Sequence, residues 1–225
     1  MKRKAIGKTG KSDISAEEMP TILVPGWGAP HLHTRWVASL LEKENLNVHA
    51  IKLPYLGVGD MDENAAILSK EVERLCSKSR IGKVNLVGYS LGGLIARIYL
   101  QNYEGVQRLG RAVFVGSPQN GIYTAYPVSF TKGGRQVRFG SDFMRELNKN
   151  FSCRCDSARC LSIYLSRDII ICPSKAARIP CGYNLELKQP IFHWSLVFSH
   201  EVIRKVADFL KGKIPENVEP PEKIK

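Results

Sequence analysis

Gly88-Tyr89-Ser90-Leu91-Gly92 has the form G-x-S-x-G. That spacing supports chemistry only where a strand runs into the serine and a helix leaves it. The chain then reverses within one residue, the serine is strained, and a Cβ at either glycine would collide across the turn. Both flanks fit: Val84-Asn-Leu-Val87 reads as a buried strand, and Gly93-Leu-Ile-Ala-Arg97 reads as the start of a helix. Such a turn pushes Ser90 Oγ out at the sheet's end and sets a helix N-terminus behind it. The Leu91 N–H then becomes a donor for an oxyanion. A glycine-rich turn with an incidental serine is the plainer alternative.

A serine hydroxyl is a weak nucleophile that needs a base, and the base needs an orienting acid. The chain order expected with this turn is serine, acid, histidine. His31, His33 and His49 precede Ser90, which leaves His193 and His200. His193 falls after the last strand signal, where a loop would deliver a base; His200 falls on the closing helix. Among Asp142, Asp156 and Asp168, the last follows a strand and precedes the apolar run Ile169–Ile171, so it should be partly buried. Asp142 reads as part of a surface helix, and Asp156 lies in a cysteine-rich loop. Acyl transfer also needs a second oxyanion donor. In Val24-Pro25-Gly26-Trp27-Gly28 the glycine lets the backbone pass close to a substrate, which makes the Trp27 N–H that donor.

These residues need a frame. Strand signals occur at Thr21–Val24, Asn47–Ile51, Val84–Val87, Arg111–Val115 and Ile163–Leu165, with a short sixth at Leu185–Leu187. Helical spacing recurs over about 33–44, 62–78, 94–102 and 194–210. This alternation predicts an α/β domain over 21–211: a mostly parallel sheet of about six strands with helices on both faces. The site should lie at the strands' carboxyl ends. Segments 1–20 and 212–225 read as flexible ends. Residues 121–150 form an insert that could be a cap, a lid or a packed surface connection. Its Tyr123, Tyr126 and Phe130, together with Tyr89, are candidates for lining a substrate site.

Composition sets outer bounds. At 225 residues and 44% hydrophobic, the chain suits one globular domain and contains no run long enough to span a bilayer. The net charge of +12 raises the question of nucleic acid. No phosphate-binding loop, RNP-like aromatic pair or paired CxxC is present, so no nucleic-acid partner is expected. Residues 101–160 carry nine basic against four acidic side chains. Lys132, Arg135 and Arg138 would form a basic rim suited to an anionic membrane surface or acidic substrates. A basic start without an apolar stretch predicts a cytoplasmic protein, with a secreted mature form as the alternative. Cys153, Cys155, Cys160, Cys172 and Cys181 match no zinc spacing, and neither a metal nor another cofactor is expected. Nothing here points to an oligomeric state.

Taken together, residues 21–210 resemble the α/β-hydrolase lipases and esterases, especially the small bacterial triacylglycerol lipases. The resemblance rests on the serine turn, Val24-Pro25-Gly26-Trp27, Gly116-Ser-Pro-Gln-Asn-Gly121, Gly140-Ser-Asp-Phe-Met-Arg-Glu-Leu-Asn148, Ser166-Arg-Asp168 with Pro173, and Phe192-His-Trp-Ser-Leu196. It implies a minimal α/β-hydrolase fold, a Ser90–His193–Asp168 triad, Trp27 and Leu91 as oxyanion donors, and an ester or lipid substrate. Pro25 and Gln119 stand where the family commonly has histidine. An acyltransferase or thioesterase using the same residues, and a non-catalytic basic-surface binding protein, are the competing expectations.

Overall fold

Six apolar runs become six strands. They are β1 (Thr21–Val24), β2 (Val48–Ala50), β3 (Val84–Tyr89), β4 (Leu109–Val115), β5 (Cys160–Leu165) and β6 (Tyr183–Leu187). The computed structural model describes residues 19–78, 81–149, 157–188 and 192–221. Cys153, Cys155, Asp156 and the segment through residue 18 lie outside them. The strands form one sheet in the order β2-β1-β3-β4-β5-β6, and every pairing is parallel. β1, β3 and β5 are buried along their whole length, as strands covered on both faces should be.

The helices are α1 (His31–Glu42), α2 (Met61–Lys78), α3 (Leu91–Asn102), α4 (Lys132–Val137), α5 (Asp142–Lys149) and α6 (His200–Leu210). From β1 the chain steps one way across the sheet to β2, then returns past β1 to β3 and continues outward. Right-handed crossovers therefore put α1 and α2 on opposite faces. One apolar core joins α2 and α3 to the sheet; the other joins α1 and α6.

Three features add to the sequence reading. The closing helix is divided into a 3₁₀ turn at His193–Val197 and α6, because Ser199 Oγ accepts from the Val202 N–H and starts a new helix. The tail is anchored at Glu219, where it exchanges two backbone hydrogen bonds with Asn184 (2.9 and 2.8 Å) and covers part of the β6 edge. The 121–150 insert holds a 3₁₀ turn (Tyr123–Val128), α4 and α5, and buries Ile122, Ala125, Val137, Met144 and Leu147 in the α2/α3 core. Among the described residues no helix is long and apolar enough to cross a membrane.

Candidate active site

Travel across the sheet reverses between β1 and β3, and ligand crevices in open α/β sheets form at such a switch point. These two strands are hydrogen-bonded neighbours, so the turns leaving Val24 and Tyr89 lie side by side. Ser90 occupies one of them at φ 51°, ψ −126°, a conformation rare for a residue with a side chain. Close packing explains its glycines. A Cβ on Gly92 would stand 2.2 Å from the Val24 carbonyl oxygen, and one on Gly26 would stand 2.9 Å from Ser90 Cβ.

His193 is the first residue of the 3₁₀ turn after β6. Its Nε2 lies 3.1 Å from Ser90 Oγ, and its Nδ1 lies 2.8 Å from Asp168 Oδ2. Asp168 is buried, and its other oxygen accepts from the Ile170 and Ile171 N–H groups at 2.8 and 3.0 Å. Burial pushes this carboxyl's pKa up. The His193 hydrogen bond, the His193 charge and the two backbone donors outweigh that and hold it below its ordinary value. An ionised carboxylate can only accept. The Nδ1 proton therefore faces Asp168, and the Nε2 lone pair faces the Ser90 hydroxyl. The rejected alternatives stand elsewhere: His200 is exposed at the start of α6, and Asp142 is exposed on α5 and pairs with Arg145.

Trp27 lies in the turn after β1, whose shape is pinned by Gly28 N–H donating to the Leu56 carbonyl (2.9 Å). Leu91 opens α3, where backbone N–H groups have no intrahelical acceptor. An apolar cleft of about 150 Å³ opens beside Ser90, lined by Pro25, Trp27, Val37, Tyr89, Trp194 and Leu196 among others. Tyr89 is thus at the cleft, with its hydroxyl buried and without a hydrogen-bond partner among the described residues; burial pushes its pKa up.

Tyr123, Tyr126 and Phe130 do not line this cleft, contrary to the sequence expectation. Their insert packs over α2 and α3, whereas the cleft is walled by α1 and the His193–Val197 turn. Sequence reasoning missed Val37, Thr34 and Leu196 as cleft residues. The apolar spacing of Val37 and Leu196 reads only as core, Thr34 carries no signal of its own, and nothing local says that this stretch of core opens next to the serine. Among the described residues no group of three metal-ligating side chains comes together.

Residues 20–167 match the family model for palmitoyl protein thioesterase. The chain belongs to that family. The span matched to the palmitoyl protein thioesterases contains Trp27, Ser90 and Leu91 and stops one residue before Asp168. Solved structures with the same fold include Aspergillus fumigatus lipase B, at 17% identity and TM-score 0.78 over 89% of this chain. This chain spans 54% of that fungal lipase. Bacillus licheniformis lipase BlEst2 in its mature form is 16% identical with TM-score 0.67, covering 85% of this chain and 92% of its own. The monoacylglycerol lipase of Paleococcus ferrophilus is 16% identical with TM-score 0.61, over 85% and 93%. At such identities the likeness establishes the α/β-hydrolase fold. The family match makes the chain a member of a thioesterase family of hydrolases.

Proposed function

We propose that this chain hydrolyses fatty-acyl esters, thioesters included, through an acyl-enzyme on Ser90. The observation that carries the reading is the continuous relay from Ser90 Oγ through His193 to Asp168, set at the mouth of an apolar cleft. His193 Nε2 takes the Ser90 proton as Oγ attacks the acyl carbonyl. The Trp27 and Leu91 N–H groups hold the oxyanion. The imidazolium returns its proton to the departing alcohol or thiol, and Asp168 stabilises its charge. His193 then activates water, which releases the fatty acid and restores Ser90. The thioester branch is supported by the family match over residues 20–167. The ester branch is supported by the general chemistry of the relay, which treats both acyl carbonyls alike.

A fluorophosphonate probe should label Ser90 in the wild type and fail to label Ser90→Ala. That variant should lose at least about 10⁴-fold in turnover of p-nitrophenyl butyrate and of an S-acyl thioester while keeping its melting temperature. Undiminished turnover by Ser90→Ala would refute the reading.

A further inference from the structure

All six strands are parallel, so every loop leaving a carboxyl end emerges at the end of the sheet that holds Ser90. Among the described residues the large apolar side chains left exposed stand, Ile214 apart, on segments that follow these carboxyl ends. They flank each part of the site. Leu32 follows the Trp27 turn, Ile169 adjoins Asp168, and Phe192 and Trp194 bracket His193. Tyr55, 84% exposed, sits on the loop that hydrogen-bonds to the Trp27 turn.

Charge on the same segments is one-sided. Residues 25–41, 51–59, 116–141, 166–182 and 188–200 contain one acidic residue, Asp168, and it is buried beneath His193. Four acids border these segments: Asp60 is buried and paired with Lys132, Asp142 and Glu201 are exposed and paired with Arg145 and Lys205, and Glu42 is exposed at the far end of α1. Arg35, Lys52, Arg167, Lys175 and Lys188 stand exposed on these segments.

From this juxtaposition we infer that the strand-carboxyl end is a docking face for an anionic phospholipid bilayer, which would present acyl substrate directly to Ser90. The inference rests on the acyl-hydrolase reading for its substrate but not for its binding. Separated apolar side chains on several loops suit insertion at the headgroup boundary, where each gains burial without a complementary protein pocket. The cations gain from the negative surface potential of the bilayer. A second copy is a poor occupant, because two such faces would bring cation against cation. An acidic polymer would satisfy the cations but leave the apolar side chains in water.

The test is cosedimentation of the full chain with vesicles of phosphatidylcholine alone or mixed with phosphatidylserine, with p-nitrophenyl butyrate turnover measured alongside. Wild type should bind the mixed vesicles at least about tenfold more tightly at low salt. Lys52→Glu/Lys175→Glu should remove that preference. Leu32→Ser/Phe130→Ser should weaken binding to both vesicle types at any salt. Both pairs should keep wild-type turnover of the soluble ester. Wild type that hydrolyses the ester but ignores vesicles would overturn the docking face alone, as would variants that bind like wild type. A dimer in sedimentation velocity that is broken by Leu32→Ser/Phe130→Ser, without vesicle binding, would overturn it in favour of self-association. Vesicle binding by a chain unable to turn over any ester would retain the face and reject the acyl-hydrolase reading.

Discussion

Asp168 illustrates how a single residue's surroundings assign its role. Two backbone N–H groups and one imidazole N–H converge on its carboxylate, and together they overcome the penalty of burial. Asp168→Asn could offer its amide N–H to His193, favouring the tautomer whose Nε2 carries the proton and cannot accept from Ser90. Turnover should fall by about 10⁴-fold with little change in KM, as measured by steady-state hydrolysis of a soluble ester. The depressed pKa has a consequence for stability. A carboxyl whose folded pKa lies below its unfolded value contributes stability that is present above about pH 4. That contribution is lost as pH falls through the folded value. The stability gap between wild type and Asp168→Asn in urea titrations should therefore be full at neutral pH and shrink below about pH 4. A gap independent of pH would contradict this account of the carboxylate.

At the scale of elements, the informative part is the insert between β4 and β5. Asp60 caps α2 by accepting from the Asp62 and Glu63 N–H groups at 2.7 and 3.0 Å. Its other oxygen accepts from Gln136 Nε2 and pairs with Lys132, both on α4. Gln136 in turn accepts from the Met61 N–H. One buried carboxylate thus ties the start of α2 to an insert 76 residues away in sequence. Asp60→Ala should lower unfolding free energy by about 1–2 kcal/mol, chiefly through the lost cap. Amide exchange in α4 should rise more than in α6, and soluble-ester turnover should persist. Unchanged exchange across α4 would mean that the tie does not hold the insert. Its separate helices could be read in part: Asp142–Asn148 has helical spacing in the sequence. The packing of the insert over α2 could not, because the Asp60–Gln136 contact leaves no mark within either segment.

Across the whole molecule, the tail and the charge acquire places. Glu219 pairs with Asn184 on the edge strand β6, its carboxylate meets Arg178, and Val218 packs onto the α1/α6 core. Deleting residues 214–225 removes the two backbone hydrogen bonds between Asn184 and Glu219, together worth about 2 kcal/mol. The melting temperature should fall by about 4–8 °C in calorimetry. No shift would mean that the edge gains nothing from its cover. The net charge of +12 takes on direction only in three dimensions, since the segments leaving the strand ends carry exposed cations while Asp168, their one acid, is buried beneath His193. The basic rim expected from Lys132, Arg135 and Arg138 is partly committed elsewhere. Lys132 pairs with Asp60, Arg135 donates to the Ser129 and Phe130 carbonyls, and the Arg138 guanidinium lies 5.4 Å from the centre of the Tyr126 ring.

The strand–helix alternation, the elbow at Ser90 and the approach of His193 and Asp168, not His200 and Asp142, to that elbow were all legible in the sequence. Each rests on a local property: burial along a short strand, the steric demand of a one-residue reversal, or position relative to a strand end. The tertiary structure alone decided that β1 and β3 are neighbours, which brings the Trp27 turn beside Ser90. It alone decided that α1, and not the 121–150 insert, walls the cleft. Strand order and crossover handedness determine which face each connection covers. They arise from the packing of the whole sheet, so no window of sequence around Tyr123 or Val37 contains them.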